Sequence, residues 1–432
     1  MLTFFEILTL LISSFFLIST LRKLKSGSIG VIYCIFWIIC VLPLLLDHLI
    51  GVPKYNPNAY KLFVDACYDE TTRILYCIYL IITQLIMMRY GRISRRKLYF
   101  DRMNADSHSN STDNLLEKKS FQMILLCMAL AVPILTILFR LPIIYLISLS
   151  WRYDGMDLSS VSGYGTLERL SYIGVVASTV LIFMKKKLFI KILMIFLLYM
   201  NVCIEGKRSA VFFALAALIL CYLEFSSSKN KIFWVLLSGI VITIIVINLT
   251  FSVQNTFRGY TSFDDLYRML RIDLFRDDTI KSAIYCILHP SEVQILNFPF
   301  QSVVMQIGFL FPLVFTGIPR VGYETYLTAA LKYRSIDELT NGVRMTPSLY
   351  DCALANFGIV GFLIGGLIAI YFAKCMDRSA YYWRPIIACG FMLYSMYSFA
   401  YICWYFEFFF IIYWMQKHVL FTFGKKTVMR ED

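Results

Sequence analysis

Charge is scarce in this chain. Of its 432 residues only 16% are Asp, Glu, Lys or Arg, against about 25% in soluble domains. Histidine is rarer still: His48, His108, His289 and His418 stand far apart, and no CxxC is matched by a second CxxC or by spaced histidines, so a zinc site is not expected. The 12 cysteines fall mostly inside apolar runs, as Cys34, Cys40, Cys77, Cys127, Cys203, Cys221, Cys389 and Cys403 do, where a thiol behaves as a small hydrophobe. No basic leader precedes the first apolar run and no small-residue cleavage site lies near Thr20, so a retained first span is expected rather than a cleaved signal.

What the chain has instead is apolar length. It is 59% hydrophobic and 16% aromatic, with mean hydropathy +0.68, which describes an integral membrane protein. Runs long enough to cross a bilayer fall at 2–20, 29–46, 72–88, 121–139, 166–184, 188–204, 209–225, 232–250, 346–372, 385–402 and 404–421. The expected fold is all-α, a polytopic helical membrane protein with about eleven transmembrane helices. Its divisions are a bundle of eight spans over 1–250, a loop region over 251–345, and three spans with a tail over 346–432.

The formal charge of +13 does not point to nucleic acid, because the positive residues sit in short connections. Arg22, Lys23 and Lys25 follow the first run; Arg92, Arg95, Arg96 and Lys97 the third; Lys185, Lys186 and Lys187 the fifth. Lys229 and Lys231, Lys374 and Arg378, then Lys425 and Lys426 continue the series after every second span. Basic short loops stay cytoplasmic, so the tail is expected inside and the 251–345 region outside. The apolar stretch 300–318 would invert everything after it if it crossed, and is read as a re-entrant or interfacial helix.

That outer region is biased to arginine, with Arg258, Arg268, Arg271, Arg276, Arg320, Arg334 and Arg344 but only Lys281 and Lys332. The planar guanidinium fork matches phosphate or carboxylate better than an ammonium does. Acids such as Asp264, Asp265, Asp273, Asp277 and Asp278 are about as numerous, so mutual ion pairing competes with ligand binding. Arg268 and Arg271 share a face if their segment is helical.

Three short motifs carry candidate chemistry. EGKRSA, 205–210, puts Arg208 at a turn between two spans, where charge is costly. IPR, 318–320, holds Arg320 after a proline-fixed turn at the depth of lipid phosphates, followed by Tyr323 and Glu324. RMTPSLYDCALANFGIVG, 344–361, runs from Arg344 into a span, with Pro347 where a helix can begin and Asp351 about one turn in. As a carboxylate at membrane depth, Asp351 has three open roles: general base, partner of an arginine, or orienter of one.

In this order, GKR then a span, an outer arginine-rich helix, IPR, then TPS, an acid and NFG, the C-terminal half resembles the Wzy-type oligosaccharide repeat-unit polymerases of bacterial O-antigen. The lysine-proline pair that often follows IPR in that family is replaced here by VGYETY. The resemblance implies a GT-C type glycosyltransferase of the bacterial inner membrane, with its active site on the periplasmic side. It also implies undecaprenyl-pyrophosphate-linked oligosaccharides as substrates and membrane lipids and a chain-length regulator protein as partners. By the same resemblance Asp351, Arg320 and Arg208 are the catalytic residues. Arg258, Arg271, Arg344, Tyr323 and Glu324 are expected to bind substrate, and Arg208, Arg320 and Arg271 to meet the pyrophosphate. No cofactor or metal is expected, since arginine replaces the cation and the outer region has no DxD acid pair. An O-antigen ligase and a lipid-linked oligosaccharide flippase or transporter stay open as alternatives.

Overall fold

The computed structural model describes residues 1–22, 28–105, 119–147, 164–184, 188–204, 262–297, 299–310, 321–339, 345–378 and 383–396. All regular structure among these residues is helical. In chain order the helices are α1 (Leu2–Arg22), α2 (Ile29–Phe36), α3 (Leu42–Leu49), α4 (Pro57–Tyr68), α5 (Glu70–Ala105), α6 (Lys119–Leu138), α7 (Ile144–Ile147), α8 (Tyr164–Met184) and α9 (Leu188–Cys203). They continue as α10 (Phe263–Leu274), α11 (Asp277–Leu288), α12 (Gln301–Leu310), α13 (Tyr323–Leu331), α14 (Leu349–Phe357), α15 (Gly361–Arg378) and α16 (Arg384–Met396).

Among the described residues, five helical segments are long and apolar enough to cross a membrane: Leu2–Thr20, Ile29–Leu49, Glu70–Gly91, Phe121–Leu138 and Leu349–Asp377. They match the first four expected runs and the ninth. The fifth and sixth appear as shorter apolar helices, Leu170–Ile182 and Phe189–Cys203. The seventh, eighth and eleventh expected spans lie outside the described residues. The chain is thus a helical membrane protein. The stretch expected to dip into the membrane starts as α12, and the rest of it, from 311, lies outside the described residues.

The chain forms two compact units. The first joins Met1–Arg96, Phe213–Ser379 and Ile387–Ile402; the second joins Lys97–Phe212, Ala380–Ile386 and Cys403–Asp432. In the second unit α6, α8 and α9 pack together, with Val132, Tyr145, Leu146 and Ile204 at one apolar cluster. Asn201 on α9 bonds the carbonyls of Ala129 and Leu197, both at 2.8 Å, satisfying part of its amide inside an apolar bundle. Its Oδ1 would lie 1.9 Å from a Cβ on Gly174, so α8 reaches α9 only through that glycine.

In the first unit the second span passes through a π turn just before Pro43. Proline lacks the N–H that would bond the carbonyl four residues back and clashes with it, and the helix widens into a π turn at Trp37–Val41. The backbone N–H of Arg276 takes up the Ile39 carbonyl at 3.4 Å, and the Tyr76 hydroxyl takes up that of Cys40 at 2.5 Å. The π turn therefore receives the α10–α11 junction. Nearby, Glu6 on α1 is buried between Arg73 Nη2 of α5 at 2.6 Å and His48 Nε2 of α3 at 3.2 Å, joining three spans at one carboxylate.

The ninth span begins with a capping box. The Ser348 side chain accepts from the Tyr350 and Asp351 N–H groups, while the Asp351 carboxylate accepts from the Ser348 N–H at 2.5 Å. At the far end of α14, Gly358 turns at φ +55°, which breaks the span before α15 resumes at Gly361. Asn356, one residue short of that end, pins the start of α12. It accepts from the Ser302 N–H at 3.2 Å and from the Phe300 N–H through its carbonyl at 3.4 Å, and donates to the Ser302 hydroxyl.

Candidate functional site

Among the described residues of the first unit, two buried polar centres contain residues expected at the site. One is an ion network. Arg271, near the end of α10, is 1% exposed, and its guanidinium faces Asp47 of α3 and Asp277 and Asp278 of α11. It also donates to the Tyr267 hydroxyl at 2.9 Å and the Pro43 carbonyl at 3.3 Å. Lys281, one turn along α11, reaches Asp277 at 2.8 Å and Asp47 at 3.3 Å. Two cations thus face three carboxylates away from water. Tyr55 and Cys67 add hydrogen bonds to Asp278, the thiol at 3.2 Å.

Electrostatics separates the two neighbouring acids. Burial works against ionisation of Asp277, but Arg271 and Lys281 outweigh it and hold its carboxyl below the usual range. Asp278 goes the other way: burial first, then the charge of Asp277, push it up to about 6. Removing either cation would leave charge buried without compensation, which costs far more than an exposed pair contributes.

The other centre surrounds Asp351, which is fully buried. Its Oδ1 is held by the Ser348 N–H and hydroxyl. Its Oδ2 makes no hydrogen bond of good geometry among the described residues, and the Tyr323 phenol stands within hydrogen-bonding range of the carboxylate. An ionised carboxylate has about four acceptor sites, so one oxygen is fixed by the helix cap and the other has acceptor capacity beyond a single phenol. Tyr323, at the start of α13, is close enough to feel this charge. Burial pushes its phenol well above the ordinary range, and the Asp351 carboxylate pushes the same way. The phenol oxygen makes no hydrogen bond of good geometry. Beside Tyr323 in the chain, Glu324 folds its carboxylate back over Gly322, and its Oε2 is also buried without a partner.

The expected residues fare unequally. Asp351 and Tyr323 come together, with Glu324 next to Tyr323 in the chain. Arg271 does not stand open to a ligand: its Nη donors are turned onto aspartates, a tyrosine and a carbonyl, so the expected pyrophosphate contact is replaced by a role inside the network. Arg208, Arg258, Arg320 and Arg344 lie outside the described residues. Arg268 shares α10 with Arg271 but differs in surroundings, pairing with Asp265 at 2.5 Å and with a quarter of its side chain exposed.

Sequence reasoning did not mention Asp47 or Tyr55, and it counted Arg276 and Lys281 among the charges of the outer region without giving either a role. Arg276 is buried and donates to the Met396 carbonyl at 3.1 and 2.8 Å and to the Ile272 carbonyl at 2.8 Å, joining the loop region to the end of α16. A signal for Asp47 was present, since it is an acid at the end of an apolar run. Among the described residues no group of three or more His, Cys, Asp or Glu is arranged to hold a metal ion. Comparison of the chain with family models, curated proteins and solved structures found no match.

Proposed function

We propose that this protein is a membrane-embedded glycosyltransferase that joins undecaprenyl-pyrophosphate-linked oligosaccharide repeat units into a bacterial surface polysaccharide, at the periplasmic face of the inner membrane. The observation that supports the reading is the state of Asp351, a buried carboxylate with one oxygen fixed by the helix cap and the other without a hydrogen bond of good geometry, beside the Tyr323 phenol. It sits between TPS and NFG, in the motif order that resembles the repeat-unit polymerases.

In the proposed reaction the hydroxyl oxygen of the incoming unit attacks the anomeric carbon of the growing chain. The bond from that carbon to the pyrophosphate oxygen breaks, and undecaprenyl pyrophosphate leaves with the electron pair. The hydroxyl proton passes to Asp351 Oδ2, which needs a carboxylate within hydrogen-bond reach. Negative charge grows on the leaving pyrophosphate, where preorganised guanidinium groups in a water-poor site are most effective. Arg208 and Arg320 take that role, with Arg258 and Arg344 binding the substrate; Arg271 supports the site from inside its network. The arginines stand in for a divalent cation, so activity is expected to survive a chelator.

The test is reconstitution of the full chain in lipid vesicles with purified lipid-linked repeat units. A ladder of longer lipid-linked chains supports the proposal. Transfer to a lipid A core acceptor without a ladder would replace it with a ligase, and movement of labelled units across the bilayer without new glycosidic bonds would replace it with a flippase.

A further inference from the structure

The turn that ends α6 holds an arginine in a backbone conformation where glycine is the usual residue. The Arg140 N–H bonds the Ile137 carbonyl at 3.0 Å and the Leu141 N–H bonds the Thr136 carbonyl at 2.9 Å. These are the two bonds of a Schellman motif, in which the residue after the cap lies in the left-handed region and is commonly glycine. Here that residue is Arg140, at φ +54°, which a Cβ makes unfavourable. Pro142 follows and cannot continue the helix. Both bonds of the turn are made by backbone, so the turn itself has no use for a guanidinium.

Its side chains divide in two. Inward, Tyr145 and Leu146 belong to the apolar cluster with Val132 and Ile204, and Leu141 and Ile144 pack against it. The Tyr199 hydroxyl of α9 donates to the Ile147 carbonyl at 2.7 Å and fixes the far end. Outward, Leu138, Phe139, Ile143 and Ile147 are between 51% and 68% exposed, and Arg140 is exposed among them. No carboxylate pairs with Arg140 among the described residues.

Depth follows from length. α6 has 20 residues, about 30 Å at 1.5 Å each, which is the thickness of the hydrocarbon core. Lys118 and Lys119 stand at its start, the basic end expected on the cytoplasmic side, so Arg140 emerges at the opposite headgroup layer. A planar guanidinium suits phosphate, and a side chain at this depth reaches it while its neighbours stay among acyl chains. A soluble anion would have no use for the apolar side chains around the arginine, whereas a lipid carries phosphate and acyl chain together. We propose that the Arg140 turn is a docking site for the phosphate group of an outer-leaflet phospholipid, with the guanidinium on the phosphate and Leu138, Phe139, Ile143 and Ile147 against the acyl chains. The site uses no residue of the proposed reaction and rests on the membrane orientation alone, so it stands or falls apart from the polymerase reading.

Native mass spectrometry of the full chain in a non-ionic detergent, titrated with phosphatidylglycerol, tests it. Arg140→Gly is the informative variant, because glycine suits the turn and removes the guanidinium. The proposal expects this variant to bind one lipid fewer than the parent, or to bind it several-fold more weakly, with its thermal midpoint unchanged or raised. Arg140→Asn, a second neutral residue that tolerates this conformation, should show the same loss. Equal lipid counts and affinities in the parent and both variants would overturn the proposal. So would a diacylglycerol of the same acyl chains that binds the parent as tightly as phosphatidylglycerol does, since it has no phosphate. Displacement of the lipid by inorganic phosphate would also overturn it, by making this a site for a soluble anion.

Discussion

Arg271 and Asp351 are both charged, both buried and both in the first unit, yet they differ in how many opposite charges meet them. Around Arg271 both Nη groups are engaged, and three aspartates, a lysine, two tyrosines and a thiol meet beside the π turn of the second span, with only Arg271 Nε and Asp277 Oδ1 left without a partner of good geometry. Around Asp351 the cap holds one oxygen, the Tyr323 phenol stands close to the carboxylate, and no cation forms an ion pair with it among the described residues. The difference separates burial from availability. A charge enclosed by opposite charges holds elements together, and a carboxylate met only by neutral donors keeps more capacity for a substrate.

The largest effect that could break this contrast is at Arg271. Arg271→Ala leaves Asp47, Asp277 and Asp278 with Lys281 alone, and breaking a buried pair in this way costs about 3–5 kcal/mol. Thermal unfolding in detergent should show a large fall in stability or little folded protein. A variant as stable as the parent, with lost substrate affinity, would return Arg271 to the ligand.

Asp278→Asn should be milder and tests the electrostatics. Because its folded carboxyl is raised to about 6, from about 3.9 unfolded, the folded protein holds the extra proton between these values. By linkage, that contribution is full at low pH and is lost as pH rises through about 6. Asp277, held low, contributes in the opposite sense, and its share is lost on acidification below the ordinary carboxyl range. The Asn variant is therefore expected to melt higher than the parent above pH about 6 and to show a flatter stability profile between about 4 and 6. An unchanged profile would remove Asp278 as the titrating group.

The smallest effect is expected at Arg268, next to Arg271 on the same helix. Its pair with Asp265 is partly in water, so Arg268→Ala should shift the thermal midpoint far less than Arg271→Ala does. A loss comparable to that of Arg271→Ala would erase the distinction between the two.

Much of the local architecture was legible in the sequence. Apolar length marked the first four spans and the ninth, and three-residue spacing put Arg268 and Arg271 on one helix. Ser348 and Asp351 have the spacing of a capping box, so the start of α14 could be read almost to the residue. Spacing could not reveal what Arg271 faces. Its partner Asp47 lies 224 positions away, on the helix that follows the π turn whose Ile39 carbonyl accepts from the Arg276 N–H. Nor could it show that Asp351 is met by the Tyr323 phenol and by no ion-paired cation among the described residues, because that depends on which side chains reach it. The pyrophosphate role expected of Arg271 came from the family resemblance, and a motif order does not distinguish a guanidinium that meets a ligand from one already enclosed by aspartates.

The central claim is that Asp351 serves the reaction while Arg271 serves the fold, and Asp351→Asn tests it most directly. Asparagine keeps an acceptor for the cap, so stability should fall by about 1 kcal/mol or less. The variant, purified and reconstituted with lipid-linked repeat units, is expected to stay folded, to bind the units and to build no ladder. A ladder of parental length and rate from folded Asp351→Asn protein would contradict the account.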